Sequence, residues 1–175
     1  MTDNLERVKS LIRDVPDFPQ EGIVFKDITP LLADESAFSS VIDMMVVHFG
    51  RGNVDKVVGI EARGFILASP VAYHFGAGFV PVRKEGKLPW ETHREEYALE
   101  YGTATIEVHQ DAIEPGERVV IVDDVLATGG TAAAAAALVE RLGGKVVGIA
   151  CLIELSFLNG REKISGYDFF SLITY

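Results

Sequence analysis

The run Val119-Val120-Ile121-Val122-Asp123-Asp124-Val125-Leu126-Ala127-Thr128-Gly129-Gly130-Thr131 constrains this chain more than any other. Four β-branched residues without alternation read as a strand buried on both faces, the kind found in parallel sheets covered by helices. The carboxyl end of such a strand opens into the crevice where ligands of parallel α/β sheets bind. Here that end carries two adjacent carboxylates. Thr128, Gly129, Gly130 and Thr131 then let the backbone turn its N–H groups toward one point, and a helix starting near Thr131 adds its positive end. Carboxylates beside an anion site would normally repel the ligand. They make sense if they accept hydrogen bonds from a vicinal diol and stand near a divalent cation. The combination points to a sugar phosphate. A P-loop would need Lys after its last glycine, where Thr131 stands, and no Gly-x-Gly-x-x-Gly spacing occurs in the run.

The rest of the chain alternates strand and helix patterns. Leu5–Ile12 has helical spacing, and Pro16, Pro19 and Gly22 interrupt it. A short extended segment with a turn spans Ile23–Pro30, and a helix is expected from about Glu35 to His48. His48, at the end of that helix, reads as a core or capping residue. Lys56–Ile60 is the first core strand; it ends at Glu61-Ala62-Arg63-Gly64, and a helix follows to about Phe75. Gly78–Val82 is the second core strand. From Glu85 to about Glu96 the chain is polar, with Gly86 and Pro89, and reads as a long mobile loop of functional length. Tyr97–Tyr101 and Ala104–Val108 alternate like an antiparallel ribbon. After the acidic strand, the six alanines Ala132–Ala137 suit a helix lying close to a sheet. Lys145–Leu152 and Tyr167–Ile173 complete the strands. The expected fold is α/β, a mostly parallel twisted sheet flanked by helices, in one domain over residues 1–175.

Composition narrows the partners. The 175 residues carry a net charge of −10, which argues against non-specific binding to nucleic acid or anionic membrane. Hydrophobic residues make up 48% and charged residues 24%, as in soluble globular proteins. No apolar run is long enough to span a membrane, and Met1-Thr2-Asp3-Asn4 does not open like a signal peptide. The one cysteine, Cys151, excludes an internal disulfide and fits a cytoplasmic protein; within its apolar run it reads as a buried, inert thiol. Against the acidic background, Arg83-Lys84-Glu85-Gly86-Lys87 is locally basic, either a solvated turn or a contact for a small anion.

The acidic run resembles the phosphoribosyl diphosphate (PRPP) signature of the type I phosphoribosyltransferases. Its wording, Asp-Asp-Val-Leu-Ala-Thr-Gly-Gly-Thr, is most similar to the adenine branch of that family, and the similarity covers nearly the whole chain. It implies transfer of the 5-phosphoribosyl group from PRPP to adenine, giving AMP and diphosphate, with Mg²⁺, in purine salvage. Asp123, Asp124 and the loop Ala127, Thr128, Gly129, Gly130 and Thr131 would hold the ribose phosphate. Mg²⁺ would be held mainly by PRPP itself, with the two acids nearby. Glu61-Ala62-Arg63-Gly64 resembles the diphosphate loop, with Arg63 meeting the diphosphate; read without the resemblance, a surface residue at a strand end is the lesser alternative for Arg63. Arg83 and Lys87 resemble further diphosphate contacts that reach toward a partner subunit, which implies a homodimer.

Glu100-Tyr101-Gly102 resembles the branch's catalytic-loop motif, within a flexible loop and ribbon over residues 84–103. There Glu100 would handle a proton on the purine imidazole ring and Tyr101 would cover the sugar; alternation alone would make both an exposed ribbon. The N-terminal part, residues 1–33, resembles the base-binding hood. Phe25 would stack on adenine, backbone groups at Val24 and Lys26 would read its edge, and Leu155 would line the pocket. Core packing is the competing reading of Val24 and Phe25. Trp90 departs from the branch, which often has a small residue after Lys87-Leu88-Pro89. Two other functions remain open at this point: transfer to a 6-oxopurine such as xanthine, hypoxanthine or guanine, and a non-catalytic PRPP-sensing regulator. The acidic charge and the lack of spare length for a DNA-binding domain count against the regulator.

Overall fold

The computed structural model describes residues 2–98 and 102–175. Its contacts group into two compact units, Met1–Met44 and Met45–Tyr175. The first holds α1 (Thr2–Ser10), the antiparallel pair β1 (Arg13–Pro16) and β2 (Val24–Asp27), the short α2 (Thr29–Ala33) and the start of α3 (Glu35–Phe49). Its own core is Val8, Ile12, Ile28, Leu31, Ala37 and Val41, all buried. The strand β1 was not evident in the sequence, because Arg13-Asp14-Val15-Pro16 has only one apolar side chain apart from its proline. It exists through its pairing with β2.

The second unit is a seven-stranded sheet in the order β5-β6-β4-β3-β7-β8-β9. Its strands are β3 (Lys56–Ile60), β4 (Gly78–Lys84), β5 (Thr92–Ala98), β6 (Thr103–His109), β7 (Arg118–Leu126), β8 (Lys145–Glu154) and β9 (Phe169–Thr174). The five strands from β4 to β9 in that order are parallel, and β6 and β5 add an antiparallel edge. The helices α4 (Gly64–Phe75) and α5 (Gly130–Arg141) flank it. This is the α/β architecture expected from the sequence. The alanine run behaves as expected too: Ala132, Ala134, Ala135 and Ala136 are buried in the core with Ile121, Leu138 and Ile149.

One expectation changes. The ribbon is longer than its apolar alternation showed: β5 starts at Thr92, inside the stretch read as a loop, and pairs with β6 from Thr92↔His109 to Ala98↔Thr103. The connection from β4 therefore shortens to residues 85–91. The sequence hid this strand because the exposed half of Thr92-His93-Arg94-Glu95-Glu96 is charged, as edge strands often are.

From β3 the chain proceeds to β4 on one side, whereas β7 leads to β8 and β9 on the other. The crevice at this switch point lies beyond the carboxyl ends of β3 and β7. The order β4-β3-β7-β8 brings four loops side by side there: the basic turn after Arg83, the Glu61–Gly64 loop, the Asp123–Thr131 run and the segment from Leu155.

Candidate active site

The acid pair follows the fully buried residues Val119–Val122 and does not end the strand as the sequence suggested: β7 runs on to Leu126, itself buried, because Val125 and Leu126 still pair with Ile153 and Glu154 of β8. The N–H of Asp124 donates to Asp123 Oδ1 at 2.8 Å. Arg63, just before α4, brings Nη2 to 2.8 Å from Asp124 Oδ2. That is an ion-pair distance with poor alignment, so this buried oxygen has no hydrogen bond from the described residues. Burial first, and the Asp124 carboxylate next, push the Asp123 carboxyl well above the usual range. A Cβ on Gly64 would lie 2.8 Å from Asp123 Oδ1 and 3.0 Å from the carbonyl of Val122. Glycine at that position thus lets the start of α4 close on the acids. Cys151 sits opposite Asp123 on β8 and is fully buried. Burial and the two carboxylates push its thiol up, so it stays neutral and unreactive, as its apolar run suggested.

The run after the acids encloses a small cleft of about 60 Å³, lined by Asp123 and residues 125–132. Gly129 has φ +77° and directly precedes α5, whose first turn takes no side-chain cap from the described residues. The helix starts at Gly130, one residue before the sequence reading. Its first N–H groups are thus available to an anion. A Cβ on Gly129 would stand 2.3 Å from the Gly160 carbonyl oxygen, and one on Gly160 would stand 2.2 Å from the Ala127 carbonyl oxygen. Two facing glycines allow the loop to rest backbone-to-backbone on the segment after β8. On its other side Gly130 faces the carbonyl of Ala98, the last residue of β5. Glu100 and Tyr101, next along the chain, lie outside the described residues.

The locally basic segment is an exposed turn whose two cations Arg83 and Lys87 are tied to one carboxylate. Arg83 Nε donates to Glu61 Oε2 at 3.2 Å, the Lys84 N–H donates to the same oxygen at 3.0 Å, and Lys87 Nζ pairs with Glu61 Oε1. Arg83 Nη1 also reaches the Lys87 carbonyl at 3.2 Å. Burial works to raise the Glu61 carboxyl, yet Lys87, the Lys84 N–H and Arg83 together hold it below its usual range. Two cations are thus gathered on one carboxylate in the Glu61–Gly64 loop. Trp90 lies further along the same turn and is exposed.

After β8, Leu155 is part-buried and its N–H donates to the Leu126 carbonyl at 2.9 Å. Two short 3₁₀ turns follow, Ser156–Leu158 and Gly160–Ile164. Beneath them Glu154, 4% exposed, receives Arg161 through Nε and through Nη2 at 2.7 Å, and the Ser171 hydroxyl at 3.1 Å.

In the N-terminal unit Phe25 is part-buried and packs edge-on to Phe18, with centroids 5.1 Å apart. Val24 is 51% exposed, so core packing does not account for it. The Lys26 ammonium is tied to Asp14 at 2.7 Å. Val24 and Lys26 stand two apart on a strand of a two-stranded sheet, so their backbone groups point the same way.

The phosphoribosyl transferase domain family matches residues 30–173. The adenine phosphoribosyltransferase of Acidothermus cellulolyticus is 64% identical over 159 residues, which cover 91% of this chain and 90% of that one. The chain belongs to the phosphoribosyltransferase family, in its adenine branch. Solved structures agree. The adenine phosphoribosyltransferase of Thermoanaerobacter pseudethanolicus superposes with a TM-score of 0.94 at 56% identity, covering 98% of this chain and 99% of that one. The enzyme of Saccharomyces cerevisiae, complexed with an imino-altritol bisphosphate and adenine, gives 0.93 at 40% identity, covering 98% and 99%.

In this phosphoribosyltransferase three acidic side chains whose partners the sequence did not show tie down neighbouring segments: Glu61, Glu107 and Glu154. Glu107 left a visible trace, a carboxylate flanked by the buried residues Ile106 and Val108 of β6. Glu154 yields a prediction. Arg161→Ala leaves a buried carboxylate short of two donors and is expected to destabilise the protein by about 2 kcal/mol at pH 7. For a chain of this size that lowers Tm by about 4–8 °C. Arg161, outweighing burial, holds the Glu154 carboxyl below its usual range. The stabilisation is therefore complete above the ordinary carboxylate pKa and is lost as pH falls through the lowered one. Thermal melts should show the gap between wild type and Arg161→Ala shrinking below about pH 4. A constant gap across pH would refute the charge-dependent part.

Proposed function

We propose that Asp123 and Asp124 hold the ribose diol of PRPP, and that Gly129, Gly130 and Thr131 bind its 5-phosphate. The carrying observation is that the start of α4 closes on the acid pair at Gly64, while Asp123 and the start of α5 line one cleft. The reaction is 5-phosphoribosyl transfer from PRPP to adenine, giving AMP and diphosphate. The bond from the anomeric carbon to the diphosphate oxygen breaks, and an imidazole nitrogen of adenine bonds to that carbon. Positive charge builds on the sugar and negative charge on the leaving group. Arg63, Arg83 and Lys87, held on Asp124 and Glu61 in the structure, would turn their remaining donors to the diphosphate, Arg as a fork and Lys as a point charge. Glu100 would take the imidazole proton, and Tyr101 would cover the sugar.

Mg²⁺ suits this donor set. Asp124 Oδ2, a hard oxygen paired with Arg63, takes no hydrogen bond from the described residues and can meet either a ribose hydroxyl or the ion. The ion supplies charge neutralisation of the diphosphate. In the N-terminal unit Phe25 would stack on adenine and backbone groups at Val24 and Lys26 would read its edge; Leu155 of the second unit is a further candidate base contact. A homodimer is supported by large apolar side chains left exposed on α4 and β4. Ile66 and Tyr73 stand seven apart on one face of α4, and Phe79 stands on β4. Cytoplasmic placement fits the free, buried Cys151. Among the described residues no helix is long and apolar enough to cross a membrane.

A base panel tests the proposal. With PRPP and Mg²⁺, nucleotide and diphosphate are expected from adenine alone among adenine, hypoxanthine, guanine, xanthine, uracil and orotate. Product from a 6-oxopurine would overturn the hood assignment, since such a base presents an acceptor where adenine presents a donor. Binding of PRPP without product from any base would favour the regulator.

A further inference from the structure

Glu107 stands in the middle of β6 and is 4% exposed. A carboxylate there is costly unless fully hydrogen-bonded, and a β-branched residue would suit the strand better. Arg94 Nε comes only to 4.0 Å of Oε1. The close partners are neutral. The Gly86 N–H donates to Oε2 at 2.9 Å, and the Thr92 hydroxyl donates to Oε1 at 3.2 Å. Those two donors bracket the turn that joins β4 to β5. Gly86 has φ +78° and immediately precedes Lys87, whose N–H closes the turn on the Lys84 carbonyl at 3.3 Å. Register places Glu107 opposite Arg83 on β4 and opposite Arg94 on β5. One rung of the sheet thus carries Arg83, Glu107 and Arg94.

We infer that Glu107 is a positioning residue for the diphosphate end of the site: it fixes both ends of the 86–92 turn and so sets where Lys87 and Arg83 stand. The inference rests on the reading of those two cations as diphosphate contacts. Glu61 aims the cations, while Glu107 anchors the backbone that carries them. A cation on an unanchored turn would still be present but would spend less time where the leaving group needs it.

Steady-state kinetics on the full chain tests this. Glu107→Leu removes both acceptors. It is expected to raise KM for PRPP and the inhibition constant of free diphosphate about tenfold, with KM for adenine within about twofold of wild type. Glu107→Gln keeps an oxygen for the Gly86 N–H and offers its amide to the Thr92 hydroxyl, so it should recover most of the lost affinity. A folded Glu107→Leu protein with unchanged PRPP and diphosphate affinity would overturn the inference. So would an equal rise in both KM values, the mark of a merely structural residue. If Glu107→Leu does not fold, Thr92→Val carries the test: PRPP affinity should weaken about threefold with adenine unaffected, and no change overturns the inference. Lys87→Ala separates the two levels. If it leaves diphosphate inhibition unchanged, the reading of the turn itself fails. If it weakens inhibition and Glu107→Leu does not, only the role of Glu107 fails.

Discussion

Replacing Gly129 by Ala is expected to lower kcat/KM for PRPP by about 100-fold or more. Two effects combine. At φ +77° an L side chain is strained by about 1–2 kcal/mol. The added methyl would also sit 2.3 Å from the carbonyl oxygen of Gly160, backbone against backbone, with no flexible side chain to yield. The loop must move off its support, and the N–H groups before α5 lose their common target. Gly116→Ala is the control. That glycine has φ +89° but nothing within 4 Å, and it lies in the turn before β7, at the end of that strand away from the acids. It should cost stability and leave kcat/KM within about threefold. If Gly129→Ala behaves like Gly116→Ala, the phosphate loop does not depend on its contact with Gly160.

Asp123→Asn is expected to move activity and stability in opposite directions. Loss of a charged acceptor for a ribose hydroxyl should cut kcat/KM by about 10- to 100-fold. The unliganded protein should meanwhile melt at a higher temperature. The Asp123 carboxyl is raised by burial and by Asp124, so ionising it works against the fold. For a raised carboxyl, the favourable contribution is present below the unfolded pKa and is lost as pH rises through the folded one. The advantage of Asn should therefore be absent in acid and grow as pH rises above the ordinary carboxylate range. Asn keeps an oxygen to accept the Asp124 N–H. Differential scanning calorimetry across pH checks this, each kcal/mol being worth about 2–4 °C for such a chain. A lower Tm for Asp123→Asn at neutral pH would mean that the acid pair is not strained by its own charge.

Much of this was legible in the chain because the determining signals are local. Val119–Val122 is a two-sided buried strand on its face, and Asp123, Asp124 and the Thr/Gly/Gly/Thr turn follow it without interruption. Strand-to-helix patterning gave the elements from Lys56 to Phe75 within a residue or two. Interactions between distant positions were hidden. Nothing local in Glu61 marks it as the acceptor for cations 22 and 26 residues away. The sequence placed Gly129 in the anion loop, but its close approach to Gly160 is intelligible only when the two face each other in the fold. The strand β5 went unseen for a related reason. Its pairing partner β6 dictates its conformation, while its own side chains are chosen for the solvent that an edge strand meets.

The two borders of the sheet also differ in colloidal character. Along β5 the border carries His93, Arg94, Glu95 and Glu96, and Arg141 of α5 covers part of it by donating Nη1 to the Arg94 carbonyl at 2.7 Å. Charge and a capped carbonyl discourage another chain from adding a strand there. The opposite border is β9, Phe169-Phe170-Ser171-Leu172-Ile173-Thr174, six residues without a charge or a proline. Sequences of that type stack readily once freed. Heating that peels β9 from β8, and from the Arg161 and His48 side chains that lie on Phe169 and Phe170, would release a strand with no charge of its own, so precipitation should nucleate there rather than at the charged ribbon.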